Sequence, residues 1–160
     1  MPPELGKGKE TSLWLEKALE DLKSARILFR ANEPTQWHQV LFFCQQVAEK
    51  AMKGFLTWHG VKFRWTHDLV EVGKQCTDID VSIESDISSV KDLTDYAWEF
   101  RYPGEDEEPT KGEAESGMIR AEKFVFAILS RLPVEVHPEI AKKSVRSWFC
   151  LPRFLWRKKK

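Results

Sequence analysis

The sequence predicts an all-α fold, an up-and-down antiparallel bundle of four long helices and one short helix. Apolar residues recur with the 3.6-residue helical period through five segments, and no segment of useful length shows the alternation of a half-buried strand. The chain has 160 residues, of which 42% are apolar and 31% are charged. That length and composition are typical of one globular domain with its own core.

The first two helices follow from apolar periodicity and helix breakers. The first spans residues 12–31 and places one apolar face inward, formed by Leu15, Ala18, Leu19, Leu22, Ala25 and Phe29. Pro34 and Thr35 separate it from the second helix, which runs to about Gly60. The apolar side of the second helix is formed by Val40, Cys44, Val47, Ala48, Ala51, Phe55 and Trp58.

The later helices are predicted from caps and prolines. Thr66 caps a short third helix that ends near Cys76, and a fourth helix runs from Asp86 to about Arg101. Its inward residues are Ile87, Val90, Leu93, Ala97 and Phe100. Thr110 and Glu113 have capping-box spacing and open a fifth helix that ends at Pro133. This helix buries Met118, Ala121, Phe124, Val125, Ile128 and Leu132.

The predicted helices and the distribution of charge divide the chain into three parts: an N-terminal tail (1–11), the helical bundle (12–133) and a C-terminal tail (134–160). The C-terminal tail holds eight Lys or Arg and two acids, so its net charge is +6 although the whole chain is neutral. Aromatic residues are interleaved with those basic residues. Such a mixture could contact an anionic membrane, RNA or a protein partner, but we favour a partly disordered tail that packs loosely on the bundle.

No feature of the sequence indicates a membrane span, a metal site or a cofactor. No apolar run approaches the ~18–20 residues that cross a bilayer, and the first residues lack a signal peptide. Cys44, Cys76 and Cys150 are scattered, without metal-ligand spacing. Three scattered cysteines, with Cys44 on the apolar face of its helix, fit the reducing environment of the cytoplasm best.

A polar stripe on the second helix is the first candidate functional feature. Gln45, Glu49 and Lys53 lie four residues apart and therefore share one side of the helix. They are either an exposed face or part of a second contact surface, such as a homodimer seam or a ligand groove. We favour the second surface because Phe42 and Leu56 flank the stripe.

Four residues form a candidate nucleotide site: Lys53, His67, Arg101 and Tyr102. Gathered at one end of a bundle, they would supply cations and hydrogen-bond donors for an anion such as ATP or GTP, and Tyr102 could also stack on a base. Taken alone, His67 is more often a structural residue, and Arg101 and Tyr102 are more often a cap and a packing residue. Spacing in the sequence does not establish that the four residues meet.

Three motifs resemble the HEPN domain family: Gln45-Gln46-Val47-Ala48-Glu49-Lys50-Ala51-Met52-Lys53, Thr66-His67-Asp68-Leu69 and Arg101-Tyr102-Pro103-Gly104. The resemblance covers roughly residues 12–132. It implies a compact helical bundle that commonly dimerises and is often encoded beside, or fused to, a small nucleotidyltransferase. It also implies nucleotide binding or, in many members, metal-independent ribonuclease activity, including that of toxins in toxin–antitoxin pairs.

The ribonuclease branch of that family is recognised by an Arg followed, after four to six residues, by a His on a late helix. Arg131 and His137 fit this spacing formally, but Pro133 lies between them and ends the helix. We therefore interpret the pair as a chance match. A ribonuclease would need the His as general acid or base and the Arg to stabilise the phosphorane.

The leading hypothesis is a non-catalytic HEPN-type module that binds a nucleotide or a nucleotidyltransferase partner, as a homodimer. The first alternative is a toxin ribonuclease that uses Arg131 and His137, or a divergent centre around His67 and Arg101. The second alternative is an interaction module that acts through its basic tail, with RNA as one possible partner.

Overall fold

The fold is built from α-helices and short 3-10 helices. The computed structural model describes the backbone of residues 3–97, 108–139 and 141, and side chains from Gly6 onward. The α-helices are α1 (Pro3–Ala31), α2 (Trp37–Trp58), α3 (Leu69–Ile79), α4 (Glu84–Ser88) and α5 (Lys111–Leu129). The 3-10 helices are Pro34–Gln36, Val81–Ile83, Lys91–Ala97 and Val134–Val136. Within the described ranges no strand occurs, and the predicted all-α bundle is confirmed.

Helices α1 and α2 pack antiparallel along most of their length. Phe29 near the end of α1 contacts Trp37 at the start of α2, with ring centroids 5.6 Å apart. At the other end, the Lys7 ammonium lies 5.1 Å from the centre of the Trp58 ring. Helix α1 begins at Pro3, whereas the sequence predicts a helix from residue 12. The additional turns bring Lys7 beside the end of α2.

Helix α2 is the centre of the bundle. The apolar side chains predicted to face inward on α1 and α2 are buried or packed against the core. However, α2 also buries Leu41, Met52 and Leu56, which lie outside its predicted apolar side. A helix that is enclosed on nearly every side has little surface left for solvent, so its polar stripe must find partners inside the chain.

The predicted fourth helix is interrupted. Helix α4 ends at Ser88, and the chain continues as the 3-10 helix Lys91–Ala97. The Ser89 carbonyl accepts a hydrogen bond from Arg120 Nη1 at 2.9 Å, and the Ser89 hydroxyl donates to the Asp86 carbonyl at 2.6 Å. Local hydrogen bonds of this kind compete with a continuous helix. Phe100 and Arg101, at the predicted end of this helix, lie outside the described residues.

Helix α5 closes the bundle against α1 and α2. Its capping box is present as predicted: Thr110 Oγ1 accepts from the Glu113 amide, and the Glu113 carboxylate accepts from the Thr110 amide. Arg26 of α1 forms an ion pair with Glu122 of α5 at 2.9 Å. Where α5 crosses α2, a Cβ atom on Gly117 would lie only 2.4 Å from Leu41 Cδ2. The two helices can therefore approach closely here only because Gly117 has no Cβ atom.

We expect Gly117→Val to destabilise the bundle, because its side chain would enter the space that Leu41 occupies. The expected loss in the free energy of unfolding is about 1–3 kcal/mol, the usual range for overpacking. Gly112→Val is the matched control, since a Cβ atom there meets nothing closer than Thr110 Oγ1 at 3.9 Å. Chemical denaturation followed by circular dichroism checks both variants, and equal stabilities would contradict this packing.

Candidate functional site

The polar stripe of α2 lies inside the protein. Lys53 and Glu49 are only 2% and 3% exposed, and Gln45 is fully buried. Burying two charged groups costs several kcal/mol per ion unless they are paired and hydrogen-bonded. The stripe is therefore stable only because its members bond to one another and to the segment that covers them.

The Glu49 carboxylate is the centre of this network. Its Oε1 accepts a hydrogen bond from Lys53 Nζ at 2.6 Å, and its Oε2 accepts from Gln45 Nε2 at 3.0 Å. His67 Nδ1 lies 2.9 Å from the same Oε2 atom. Although burial alone would raise the pKa of Glu49, the hydrogen bonds from Lys53, Gln45 and His67 lower this pKa below its ordinary value of 4.5. The carboxylate is thus ionised at neutral pH, and His67 Nδ1 carries the proton in this hydrogen bond.

The end of α2 turns the chain back over this network. Gly60 adopts a left-handed φ of 70°, the Gly60 amide donates to the Thr57 carbonyl, and the Val61 amide donates to the Leu56 carbonyl. This is a Schellman motif, in which glycine avoids the strain of a positive φ. The following segment, residues 61–68, returns along α2, where the His67 carbonyl accepts from Gln45 Nε2 at 3.0 Å.

Residues 61–68 also place α3. Asp68 is the N-cap of α3, and its carboxylate accepts from the Val70 amide at 2.8 Å. The predicted cap, Thr66, instead accepts from the Asp68 amide at 3.1 Å. The prediction of Thr66 as the cap is therefore wrong by two residues, because the Thr66 hydroxyl closes the turn before the helix.

Three aromatic rings surround the Lys53 ammonium. Nζ lies 5.7 Å from the ring centre of Trp14, 5.6 Å from that of Phe63 and 5.4 Å from that of Trp65. Cation–π attraction in a site shielded from water is worth about 2 kcal/mol or more. The aromatic cage formed by Trp14, Phe63 and Trp65 therefore compensates part of the cost of burying this charge.

Of the two residues that flank the stripe, only Phe42 is accessible for contact with a second subunit. Leu56 is fully buried within the chain, so its predicted place on a second contact surface is wrong. Phe42 is half-buried and contacts the ring of Phe43, with centroids 5.7 Å apart. The polar stripe meets the returning segment 61–68 of its own chain.

A surface cleft of about 450 Å³ opens beside the aromatic cage. It lies between the start of α1, the end of α2 and the returning segment, and it is lined by Lys7, Glu10, Thr57, Gly60, Val61, Lys62, Phe63 and Trp65. Trp65 is 85% exposed, which is unusual for a tryptophan. Clefts that bind small molecules commonly have volumes of ~300–1,000 Å³.

The cleft has a positive balance of charge, with two lysines against Glu10. Neither lysine forms an ion pair with any side chain that the structure describes. Burial, together with the nearby Lys7 ammonium, lowers the pKa of His59. His59 is therefore neutral at pH 7, and the positive charge of the cleft is supplied by Lys7 and Lys62.

The structure brings together two of the four residues in the predicted nucleotide site. Lys53 and His67 meet through Glu49. Arg101 and Tyr102 lie outside the described residues, so their part in the site stays a prediction. Lys7, Lys62 and Trp65 are not among the site residues predicted from the sequence. The order Lys62-Phe63-Arg64-Trp65 alternates basic and aromatic residues, and this signal could have revealed them.

Arg131 and His137 both have structural partners. Arg131 pairs with Asp80 at 3.3 Å and with Asp86 at 3.1 Å, which ties the end of α5 to the segment around α4. His137 Nε2 lies 2.8 Å from the Leu129 carbonyl and 3.1 Å from the Leu132 carbonyl. An N–H that donates to these carbonyls satisfies the C-terminal end of α5.

The two cysteines in the described part of the chain are both buried. Burial raises the pKa of Cys44 and of Cys76 to about 12, so both thiols are protonated and poorly nucleophilic. No group of three or more His, Cys, Asp or Glu that could hold a metal ion occurs among the described residues. In the same part of the chain, no helix is long and apolar enough to cross a membrane.

The fold and the site define a small helical-bundle module in which a returning segment covers a buried charged network on the central helix. A family model described as the HEPN domain matches residues 11–132. The chain therefore belongs to the HEPN family, and the resemblance drawn from its motifs is confirmed.

A solved structure supports the fold. The crystal structure of an archaeal HEPN homologue matches with a TM-score of 0.58 and 23% sequence identity. The match covers 76% of this chain and 96% of the archaeal chain. No match was found among curated protein sequences.

The lowered pKa of Glu49 predicts a specific acid sensitivity. Since the folded-state pKa lies below 4.5, the contribution of the ionised carboxylate is complete above about pH 5 and is lost as the pH falls through that lower value. Glu49→Gln should lower stability at pH 7 by about 3–5 kcal/mol, because Lys53 stays buried without its partner. It should also lose less stability than wild type between about pH 5 and 3.

Asp21→Asn is the control for this measurement, because Asp21 also pairs with a lysine of α2, Lys50. Here burial raises the pKa of the carboxyl group, so its contribution is present at low pH and is lost as the pH rises. Asp21→Asn should therefore increase the loss of stability on acidification, whereas Glu49→Gln should decrease it. Urea denaturation at several pH values measures the free energy of unfolding of both variants. If it changes with pH in the same way in the two variants, the account of Glu49 is contradicted.

Proposed function

We propose that the chain is a non-catalytic HEPN module that binds a nucleotide in the cleft beside the aromatic cage. The observation that carries this proposal is the exposed indole of Trp65 in a cleft that also presents Lys7 and Lys62. An aromatic face and separate cations are the two groups that a nucleotide needs, one for its base and the other for its phosphates.

The phosphate part of the ligand is assigned to the two lysines. A nucleoside triphosphate carries about three to four negative charges, so its site must supply cations rather than an apolar surface alone. Lys62 is exposed at the edge of the cleft, and Lys7 approaches from the first turns of α1. Glu10 opposes them, which favours phosphates bound at the lysine side of the cleft.

The base is assigned to Trp65. The indole of Trp65 is 85% exposed and is therefore accessible to a base, and base–aromatic stacking is worth about 1–3 kcal/mol per base. The ring is held by its neighbours Phe63 and Trp14, whose centroids lie 6.1 and 6.3 Å away. Stacking on a ring that is already in place costs little ordering entropy.

The buried network of Gln45, Glu49, Lys53 and His67 contacts this site through the ring of Trp65. In the nucleotide site predicted from the sequence, Lys53 is a direct ligand of the anion together with His67, Arg101 and Tyr102. The Lys53 ammonium is bonded to Glu49 and enclosed by three rings, which favours an indirect role through Trp65. Arg101 and Tyr102 stay predicted ligands of the same nucleotide.

Homodimerisation and docking onto a nucleotidyltransferase partner are further expectations that follow from family membership. The ribonuclease alternative receives no support from the geometry, since Arg131 and His137 are engaged in holding the end of α5. The proposal that the basic tail acts on RNA concerns residues 134–160, most of which lie outside the described ranges.

Isothermal titration with ATP and GTP tests the proposed function. We expect wild-type protein to bind, and we expect Lys62→Ala to weaken binding by about 1.5–3 kcal/mol, or roughly ten- to a hundredfold, because a charge-assisted contact is lost. Trp65→Ala should cost about 1–3 kcal/mol. Both side chains are exposed, so neither change should unfold the protein.

Lys111→Ala is the matched control, because this lysine contacts Asn32 at the opposite end of α1 from Lys7. It removes one positive charge without touching the cleft and should leave the affinity unchanged. Absence of binding by wild type would reject the nucleotide site and favour partner docking. Equal losses in Lys62→Ala and Lys111→Ala would show only a general effect of net charge and would remove the cleft from the proposal.

A further inference from the structure

The indole of Trp65 has two different environments. On one side lies the Lys53 ammonium, 5.4 Å from the ring centre, and Lys53 is only 2% exposed. Since Trp65 itself is 85% exposed, the opposite face of its ring is open to solvent beside the cleft. One face of this tryptophan therefore meets a buried positive charge while the other is available to a ligand.

We propose that the ligand's base stacks on the open face of Trp65, so that the indole lies between the base and the Lys53 ammonium, and that this arrangement selects purine over pyrimidine nucleotides. This inference rests on the proposed function. It assigns Lys53 as a positioning and specificity-determining residue that does not touch the nucleotide.

The physical basis of the selection is the charge distribution of the ring. An aromatic face is electron-rich, which is why a cation is attracted to it. A fixed cation on one face draws π-electron density toward itself, so the opposite face becomes a better partner for a large, electron-rich ring. A purine offers a larger and more electron-rich surface than a pyrimidine, and such differences in stacking strength give modest base preferences.

The position of the cation is fixed by the network beneath it. Lys53 Nζ donates to Glu49 Oε1 at 2.6 Å, and Glu49 is bound in turn by Gln45 and His67. His67 lies two residues after Trp65 on the same returning segment. The network thus fixes both the charge and the ring that it polarises.

The test compares the affinities of ATP, GTP, CTP and UTP, which carry the same triphosphate. We expect wild type to bind the two purine nucleotides roughly threefold or more tighter than the two pyrimidine nucleotides. In Trp65→Ala this ratio should fall to about one. In Lys62→Ala all four affinities should fall by a common factor, because that residue is assigned to the phosphates.

Removing the buried charges tests Lys53 itself. Lys53→Met alone would leave Glu49 buried without its lysine, so the double variant Glu49→Gln/Lys53→Met is used to remove both charges. Asp21→Asn/Lys50→Met is the matched control, since it removes the other lysine–carboxylate pair of α2, which lies between α1 and α2. We expect the purine-to-pyrimidine ratio to fall toward one in the first double variant and to keep its wild-type value in the second.

Several results would overturn the inference while leaving nucleotide binding intact. One such result is that wild type binds all four nucleotides with equal affinity. The others are that Trp65→Ala, or a folded Glu49→Gln/Lys53→Met protein, keeps the purine-to-pyrimidine affinity ratio of wild type. If that double variant does not fold, the exposed Trp65→Ala variant still decides whether the base lies on this ring. Failure of wild type to bind any of the four nucleotides would instead reject the proposed function and the inference together.

Discussion

The ionised carboxylate of Glu49 is the interaction on which the rest of the site depends. It accepts hydrogen bonds from Lys53, Gln45 and His67, and a buried charge with fewer partners would destabilise the bundle. Two of these partners belong to α2, and the third belongs to the segment that returns over it. The cost of burying Glu49 is therefore offset only when residues 61–68 fold back onto α2, which places the aromatic cage and one wall of the cleft.

Local signals in the sequence predicted much of the bundle. The inward faces of α1 and α2 and the capping box of α5 all follow from spacing and side-chain chemistry. The interruption of the fourth helix at Ser89 could not be read in this way, because it involves a hydrogen bond from Arg120, thirty-one positions later in the sequence. The early start of α1 was also missed, since its first turns have no apolar stripe.

The site was harder to predict than the fold because spacing shows which residues share a helix face but not what covers that face. Gln45, Glu49 and Lys53 lie on one side of α2 as predicted, and His67 was predicted beside Lys53 only, as a member of the nucleotide site. Spacing alone does not predict that segment 61–68 covers them, since this depends on the left-handed turn at Gly60. Trp65 and Lys62 line the cleft only because the chain returns along α2 after this turn.

Amide hydrogen exchange across residues 66–69, compared between wild type and His67→Ala, tests this dependence most directly. His67→Ala removes one partner of Glu49 while the Lys53–Glu49 pair is kept. We expect these amides to exchange about three- to tenfold faster in the variant, the effect of losing about one hydrogen bond of local stability, while amides in the middle of α5 keep their wild-type rates. Unchanged exchange at residues 66–69, or an equal acceleration throughout α5, would contradict the claim that Glu49 holds the returning segment in place.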